Sequence, residues 1–193
     1  MKKLLLTAFL LLFFTFFFPF IAIANNNVIL AGDSIMVGIA SQMKSNDNTH
    51  YYSIAKTSSG LINLNYYDIY DKLEKKLEHY PNSKVYVCIG TNDGYDIDSL
   101  QFGTEDWKLD YVMRLDLLTQ IAGKDNIVFV TMPEMKTLPK IKLIRQLILD
   151  YARWNELKCI DLWDALDNKY RAKDKIHCSG EGYFILAEKL QEK

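Results

Sequence analysis

The feature that most constrains the fold is a regular alternation of short apolar runs with longer stretches of helical periodicity. In each longer stretch, apolar residues recur every three or four positions among charged ones, which is typical of amphipathic helices. Such alternation predicts an α/β fold with a parallel sheet covered by helices on both faces. We therefore expect a three-layer α/β/α sandwich around a central five-stranded parallel sheet, with strands at residues 28–31, 51–55, 84–89, 127–131 and 158–162.

The N-terminal residues have the composition of a signal peptide. Lys2 and Lys3 precede an uncharged run rich in Leu and Phe, which ends in an Ala-x-Ala site at Ala24. The run, at roughly 20 residues, is also long enough to span a bilayer, so an uncleaved anchor is the alternative. Pro19 and the Ala-x-Ala site favour cleavage after Ala24. We expect a periplasmic or secreted protein with no stable membrane insertion after cleavage.

Cleavage would separate residues 1–24 from residues 25–193, which have a normal size for one domain with one core. Residues 1–24 contain two lysines and no acidic residue. The formal charge is therefore −1 for the whole chain and −3 for residues 25–193. A slightly acidic domain has no electrostatic attraction for nucleic acid or for an anionic membrane. We therefore expect a single domain that does not bind nucleic acid.

The cysteines indicate neither a metal site nor a disulfide framework. Cys88, Cys159 and Cys178 have no spacing typical of metal ligands. Cys88 lies in an apolar run and is interpreted as a small core residue. Cys159 and Cys178 could pair in an oxidising compartment, and the sequence leaves this open.

A serine follows the first predicted strand, at the point where the first predicted helix begins. Gly32-Asp33-Ser34 breaks the apolar run, and helical periodicity continues after it. At a helix start, free backbone N–H groups and the helix dipole favour negative charge. A serine nucleophile and its developing oxyanion would be stabilised there. The same triplet is also ordinary turn and helix-cap chemistry, so it carries weight only together with other residues.

One of the three histidines has the surroundings of a catalytic base. His50 begins a strand and His79 ends a helix, and both are interpreted as ordinary surface or packing residues. His177 follows Asp174 by three residues, in a loop just before the last helix. A carboxylate at this spacing can bind one ring nitrogen and leave the other free as a general base. Taken alone, the pair is better explained as a surface Asp and His in a turn.

These residues together resemble the SGNH/GDSL hydrolase superfamily. The chain carries four short blocks in the order typical of that superfamily, and the likeness covers about residues 27–190. The blocks are Gly32-Asp33-Ser34, Gly60, Gly90-Thr91-Asn92-Asp93 and Asp174-x-x-His177. Further stretches, such as Ser58-Ser59-Gly60-Leu61 and Ile160-Asp161-Leu162-Trp163, resemble a bacterial branch described only as a domain of unknown function (459). Ile35-Met36 replaces the eponymous leucine, and position 35 is expected to point into the core.

The resemblance implies a flavodoxin-like SGNH fold and ester hydrolysis through an acyl-serine intermediate, with no metal or cofactor. The resemblance implies that Ser34 occupies the position of the nucleophile and His177 that of the general base and acid. Asp174 then occupies the position of the carboxylate that orients the histidine. The backbone N–H groups of Ser34 and Gly60 and the side-chain amide of Asn92 would form the oxyanion hole.

Two further aspartates are expected to have structural roles. Asp33 is expected to hold the turn or cap the first helix, and Asp93 is expected to be structural too. Asp161, at the end of a strand, has no role assigned to it.

The substrate is less constrained than the chemistry. Aromatic residues flank the site loops and could stack on a sugar ring, although Tyr67 and Trp107 are more simply core residues of their helices. The full set is Tyr66, Tyr67, Tyr95, Phe102 and Trp107. The leading hypothesis is a monomeric esterase that removes O-acetyl or another short acyl group from a cell-envelope or extracellular carbohydrate. A lipase or thioesterase, an O-acetyltransferase, and a non-catalytic polysaccharide-binding or assembly protein are the alternatives.

Overall fold

A computed structural model describes residues 26–62, 67–95 and 101–192, with the side chain of Tyr95 excepted. The predicted signal peptide lies outside these ranges, so its prediction stands as an expectation. Within the ranges, no helix has both the length and the apolar character needed to cross a membrane.

Five strands form a single parallel sheet in the order β2-β1-β3-β4-β5. Ile29 at the centre of β1 lies opposite Tyr52 of β2 on one side and Val85 of β3 on the other. The predicted five-stranded parallel sheet is therefore confirmed. The strands are β1 (Asn26–Gly32), β2 (Thr49–Ser53), β3 (Lys84–Cys88), β4 (Ile127–Val130) and β5 (Lys158–Ile160).

Helices cover both faces of this sheet. Right-handed crossovers from β1 to β2, and then back through β3, β4 and β5, place the connecting helices on opposite faces. Accordingly α1 packs against α6, while α4 packs against α2 and α5. The helices are α1 (Ser34–Ala40), α2 (Ile69–His79), α3 (Thr91–Tyr95), α4 (Glu105–Ala122), α5 (Ile141–Trp154) and α6 (Gly180–Gln191), with a 3-10 turn at Asn168–Tyr170.

Side-chain caps set where four of the helices begin, namely α1, α2, α4 and α6. Thr104 accepts a hydrogen bond from the N–H of Trp107 at the start of α4, and Ser179 accepts one from the N–H of Gly182 at the start of α6. Asp68 caps α2, which begins at Ile69.

The segment directly after β3 is helical. Thr91–Tyr95 form the short helix α3. The buried carboxylate of Asp33 accepts a hydrogen bond from the first N–H group of this helix, at Thr91. A contact between residues 58 positions apart in the chain is not readable from local sequence.

Gly32 allows β1 and β3 to approach closely just before Ser34. A Cβ atom at this position would lie 1.9 Å from the carbonyl oxygen of Cys88, a distance that no side chain tolerates.

Cys88 is fully buried, as expected. All three cysteines lie in the described ranges and are free thiols, so Cys159 and Cys178 are not paired in this structure.

Candidate active site

Ser34 lies at the first residue of α1, where the chain turns from strand to helix. Asp33 caps the helix, and its Oδ1 accepts a hydrogen bond of 2.9 Å from the N–H of Ile35. The predicted capping role of Asp33 is thereby confirmed, and Ile35 is fully buried as expected. The N–H groups in the first turn of an α-helix have no acceptor within the helix itself. The N–H of Ser34 is thus a candidate donor to a bound anion.

Three residues of the predicted site form a continuous hydrogen-bonded line. The Nε2 atom of His177 lies 3.0 Å from the Oγ atom of Ser34, a residue 143 positions away in the chain. The Nδ1 atom of His177 lies 2.6 Å from Oδ2 of Asp174. An ionised carboxylate only accepts hydrogen bonds, so the Nδ1 atom carries the proton. The Nε2 lone pair then faces Ser34, as a general base requires.

The loop before α6 holds the Asp174 carboxylate in this orientation. Its Oδ1 accepts hydrogen bonds of 2.9 Å from the N–H groups of both Ile176 and His177. Lys175 takes a left-handed backbone conformation, with φ of 60°, which closes the turn. The hydrogen bond from His177, together with these two N–H groups, lowers the pKa of Asp174 to about 2.

This low pKa predicts a pH dependence of stability. The usual pKa of an aspartate is 3.8, so the ionised form stabilises the folded chain fully above pH 3.8. The contribution is lost as the pH falls towards 2. In the Asp174→Asn variant the contribution is absent at every pH. The difference in free energy of unfolding between the two proteins should therefore shrink as the pH falls from 4 to 2.

Urea unfolding followed by circular dichroism, at several pH values from 2 to 7, measures this difference. Burial raises the pKa of Asp33 to about 6, so that residue lowers stability as the pH rises from 3.8 to 6. Both proteins contain Asp33, and subtracting one curve from the other removes its effect. A difference that stays constant down to pH 2 would contradict the hydrogen-bonded carboxylate at position 174.

Asn92 brings a neutral donor to the same place. It lies in α3, and its Nδ2 donates a hydrogen bond of 2.7 Å to the carbonyl oxygen of Ser59. An amide nitrogen carries two hydrogens, so one remains for a substrate oxygen. The side chain reaches the site because α3 follows directly from β3, at the carboxyl end of the sheet.

These residues surround a cavity of about 360 Å³. Among the described residues lining it, Ile176 is the one apolar side chain, and the others carry hydroxyl, amide, imidazole or carboxylate groups. The lining consists of Ser34, Thr57, Ser58, Thr91, Asn92, Asp174, Ile176 and His177. The cavity therefore suits a small group flanked by polar ones.

The loop after β2 lines the cavity with residues other than Gly60, the residue of this loop that was expected at the site. Gly60 is buried and is not among the described residues that line the cavity. Thr57 and Ser58 line it instead, and Ser58 adopts a left-handed conformation with φ of 62°. The role of the Gly60 N–H as an oxyanion donor stays a prediction. The run of small polar residues after β2 was the signal that could have identified Thr57 and Ser58.

The aromatic residues proposed to stack on a sugar do not line this cavity where they are described. Trp107 is buried and stacks on Tyr111 in the core, with ring centroids 5.3 Å apart. The hydroxyl of Tyr67 donates a hydrogen bond to the carbonyl oxygen of Ile54. Phe102 packs against Trp107, with ring centroids 4.5 Å apart. The core interpretation is thus confirmed for Trp107. Tyr67 is only partly buried against the core and precedes α2, so it is not a core residue of that helix. Tyr66 and the side chain of Tyr95 lie outside the described residues.

A larger groove, of about 680 Å³, lies between α4 and α5, away from Ser34. Its described lining includes Val112, Met113, Leu117 and Trp154 and contains no serine, cysteine or histidine. Because an acyl-transfer site needs a nucleophile, the smaller polar cavity is the candidate active site.

His79 and Asp161 lie apart from the proposed site. His79 contacts the carbonyl oxygen of Lys75 at the end of α2. Asp161 forms an ion pair with Arg145 and accepts a hydrogen bond of 2.6 Å from the hydroxyl of Thr131. Asp161 therefore joins the ends of β4 and β5, a structural role that the sequence did not indicate.

Comparisons with known proteins agree with this fold. The model of the family described as "Protein of unknown function (DUF459)" matches residues 27–172, a range that includes Ser34 and Asn92. A lipase/acylhydrolase from Enterococcus faecalis has 16% identity and a TM-score of 0.65, covering 86% of this chain and 94% of that chain. A comparison with curated proteins finds no match.

Two other solved structures are similar over the same share of the chain. A carbohydrate acetylesterase from Sinorhizobium meliloti has 14% identity and a TM-score of 0.65, covering 86% of this chain and 97% of that chain. An aryl esterase from M. smegmatis has 14% identity and a TM-score of 0.64, with the same two coverages. At such identities the likeness shows the fold, which is that of the SGNH hydrolases, as expected.

Proposed function

We propose that this chain, which belongs to the DUF459 family of proteins of unknown function, is an exported serine esterase. Its substrate is an O-acetyl or other short acyl ester on a cell-envelope or extracellular carbohydrate. The observation that carries the proposal is the line from Ser34 Oγ through His177 to Asp174, which borders an open polar cavity.

The geometry supports acyl transfer in two steps. His177 Nε2 takes the hydroxyl proton while Ser34 Oγ attacks the ester carbonyl carbon. Negative charge develops on the carbonyl oxygen, where the amide of Asn92 and the N–H of Ser34 are candidate donors. The C–O bond to the alcohol then breaks, and the alcohol leaves with the proton that His177 returns. Water, deprotonated by His177, then attacks the carbonyl carbon of the acyl-serine. The bond from this carbon to Ser34 Oγ breaks, His177 returns the proton to Oγ, and the carboxylic acid is released.

The size and polarity of the cavity support a short acyl group and a polar alcohol. A cavity of about 360 Å³ lined mostly by hydroxyl, amide and charged groups gives a long acyl chain little apolar surface to bury. Hydroxyls such as those of Thr57 and Ser58 can donate to and accept from sugar hydroxyls. The signal-like N-terminal residues support export, which would bring the enzyme to envelope and extracellular carbohydrates. The proposed reaction needs no group from a second chain.

The test is the acyl-chain preference of the purified protein. We expect hydrolysis of p-nitrophenyl acetate, a decline of at least about tenfold in kcat/KM by the octanoate, and a background rate in the Ser34→Ala variant. Acetate release from an acetylated polysaccharide, such as acetylxylan or O-acetylated peptidoglycan, would identify the alcohol portion.

Each alternative gives a different result. A preference for octanoate would contradict the short-acyl proposal and favour a lipase or thioesterase. Acetyl transfer to an added sugar at a rate above hydrolysis would favour an O-acetyltransferase. Absence of turnover that depends on Ser34, on every ester and polysaccharide, would favour a binding protein.

A further inference from the structure

Two buried aspartates lie next to proposed site residues in the sequence. Asp33 precedes Ser34, and Asp93 follows Asn92. The exposed fraction of Asp33 is 0%, and that of Asp93 is 2%. Burying a carboxylate is costly unless hydrogen bonds compensate it. The hydrogen-bond partners of these two carboxylates therefore show what each of them does in the fold.

Asp33 joins the first turn of α1 to the start of α3. Its Oδ1 accepts the hydrogen bond from Ile35 described above, and its Oδ2 accepts bonds of 3.1 Å from the N–H of Gly90 and 2.8 Å from the N–H of Thr91. The Asp33 carboxylate thus fixes the distance between the start of α1, where Ser34 lies, and the start of α3, where Asn92 lies.

Asp93 joins α3 to the loop after β2. Its Oδ2 accepts a hydrogen bond of 2.8 Å from the N–H of Leu61, and its Oδ1 accepts one of 3.0 Å from the N–H of Ile62. Asn92 makes a parallel contact with this loop, through the carbonyl oxygen of Ser59. The loop is therefore held to α3 at three of its residues.

We propose that Asp33 and Asp93 are positioning residues that hold α1, α3 and the loop after β2 in one arrangement. The inference rests on the proposed function, because these three segments carry the expected oxyanion donors. Such donors are effective only when they are held in place before the reaction begins. Hydrogen bonds from N–H groups to a carboxylate are stronger than those to a neutral oxygen, so they suit this task.

Asparagine is an informative replacement at both positions because it preserves size and removes one acceptor. In Asp93→Asn, the new NH2 group would face the N–H of either Leu61 or Ile62, placing two donors against each other. In Asp33→Asn, the same conflict arises with Ile35 or with the pair Gly90 and Thr91. Neither side chain touches the substrate in the proposed mechanism, so the effect must pass through the donors that they position.

We expect Asp93→Asn to lower kcat for p-nitrophenyl acetate by about 10- to 100-fold, with KM changed by less than about twofold. Asp33→Asn should lower kcat by a similar or larger factor. Asp161→Asn is the matched control, because Asp161 also accepts hydrogen bonds at the sheet end but contacts none of the three segments. That control should lose stability and keep kcat within about threefold.

Hydrogen exchange provides a second measurement that does not depend on turnover. The amides of Leu61 and Ile62 should lose protection in Asp93→Asn, while those of Gly90 and Thr91 lose it in Asp33→Asn. A folded Asp93→Asn variant with unchanged kcat would overturn the inference, and so would unchanged protection at Leu61 and Ile62. If Asp33→Asn does not fold, Asp93→Asn decides the question.

The two measurements also separate this inference from the proposed function. Absence of Ser34-dependent turnover in the unsubstituted protein would contradict the proposed function, and with it the catalytic part of the inference. Persistent amide protection in both variants, with turnover intact in the unsubstituted protein, would contradict the inference alone.

Discussion

Replacing Ser34 with alanine is expected to lower kcat for p-nitrophenyl acetate by about four to six orders of magnitude. The substitution removes the oxygen that would attack the ester, and water in the cavity is a weaker and less oriented nucleophile. The side chain is half-buried and its one described partner is His177, so Tm should change by only a few degrees. Steady-state kinetics and thermal unfolding of the same preparation measure both.

The His177→Ala variant extends this prediction. If Ser34 and His177 act as one unit, the double variant should be no slower than the slower single variant, because the second substitution removes nothing that still functions. His79→Ala is the matched control, since that ring only contacts a backbone carbonyl at the end of α2. Independent, additive losses from the two positions would contradict the proposed proton transfer between them.

Replacing Asn92 with alanine is the second large effect that we expect. It should lower kcat by about 10²- to 10³-fold, equivalent to about 2.7–4 kcal/mol, with little change in KM. The physical reason is that the amide would bind the carbonyl oxygen more strongly once that oxygen carries negative charge. Michaelis–Menten kinetics on p-nitrophenyl acetate separate kcat from KM.

A matched control for this effect is Asn155→Ala. Asn155 also donates a hydrogen bond from Nδ2 to a backbone carbonyl, that of Tyr151, but it lies at the end of α5. This variant should keep full activity. An Asn92→Ala variant with unchanged kcat and a raised KM would contradict the oxyanion role and indicate binding of the substrate ground state instead.

Much of the candidate site could be predicted from sequence because its key contacts are local or follow the strand order. Asp174 and His177 are three residues apart in one turn, so their hydrogen bond depends on few backbone angles. Ser34 and Asn92 follow β1 and β3, which are neighbours in the sheet. Parallel strands end at the same edge, so these two residues had to come close together.

The details of the cavity wall could not be predicted in this way. The sequence indicated Gly60 as a site residue, yet the described lining contains Thr57 and Ser58. The conformation of this loop depends on Asp93, which accepts hydrogen bonds from Leu61 and Ile62 more than 30 positions away in the chain. A loop whose backbone partners come from another segment has no local pattern that sets its shape.

Features that depend on neighbouring residues could be predicted from the sequence. These are the alternation of strands and helices, the caps at Thr104 and Ser179, and the Asp174–His177 pair, all of which arise from contacts within a few positions. The tertiary structure was needed to show which distant segments Asp33 and Asp93 link, that residues 91–95 form a helix, and which residues line the cavity. These outcomes depend on hydrogen bonds between distant segments, which form only once the sheet has brought those segments together.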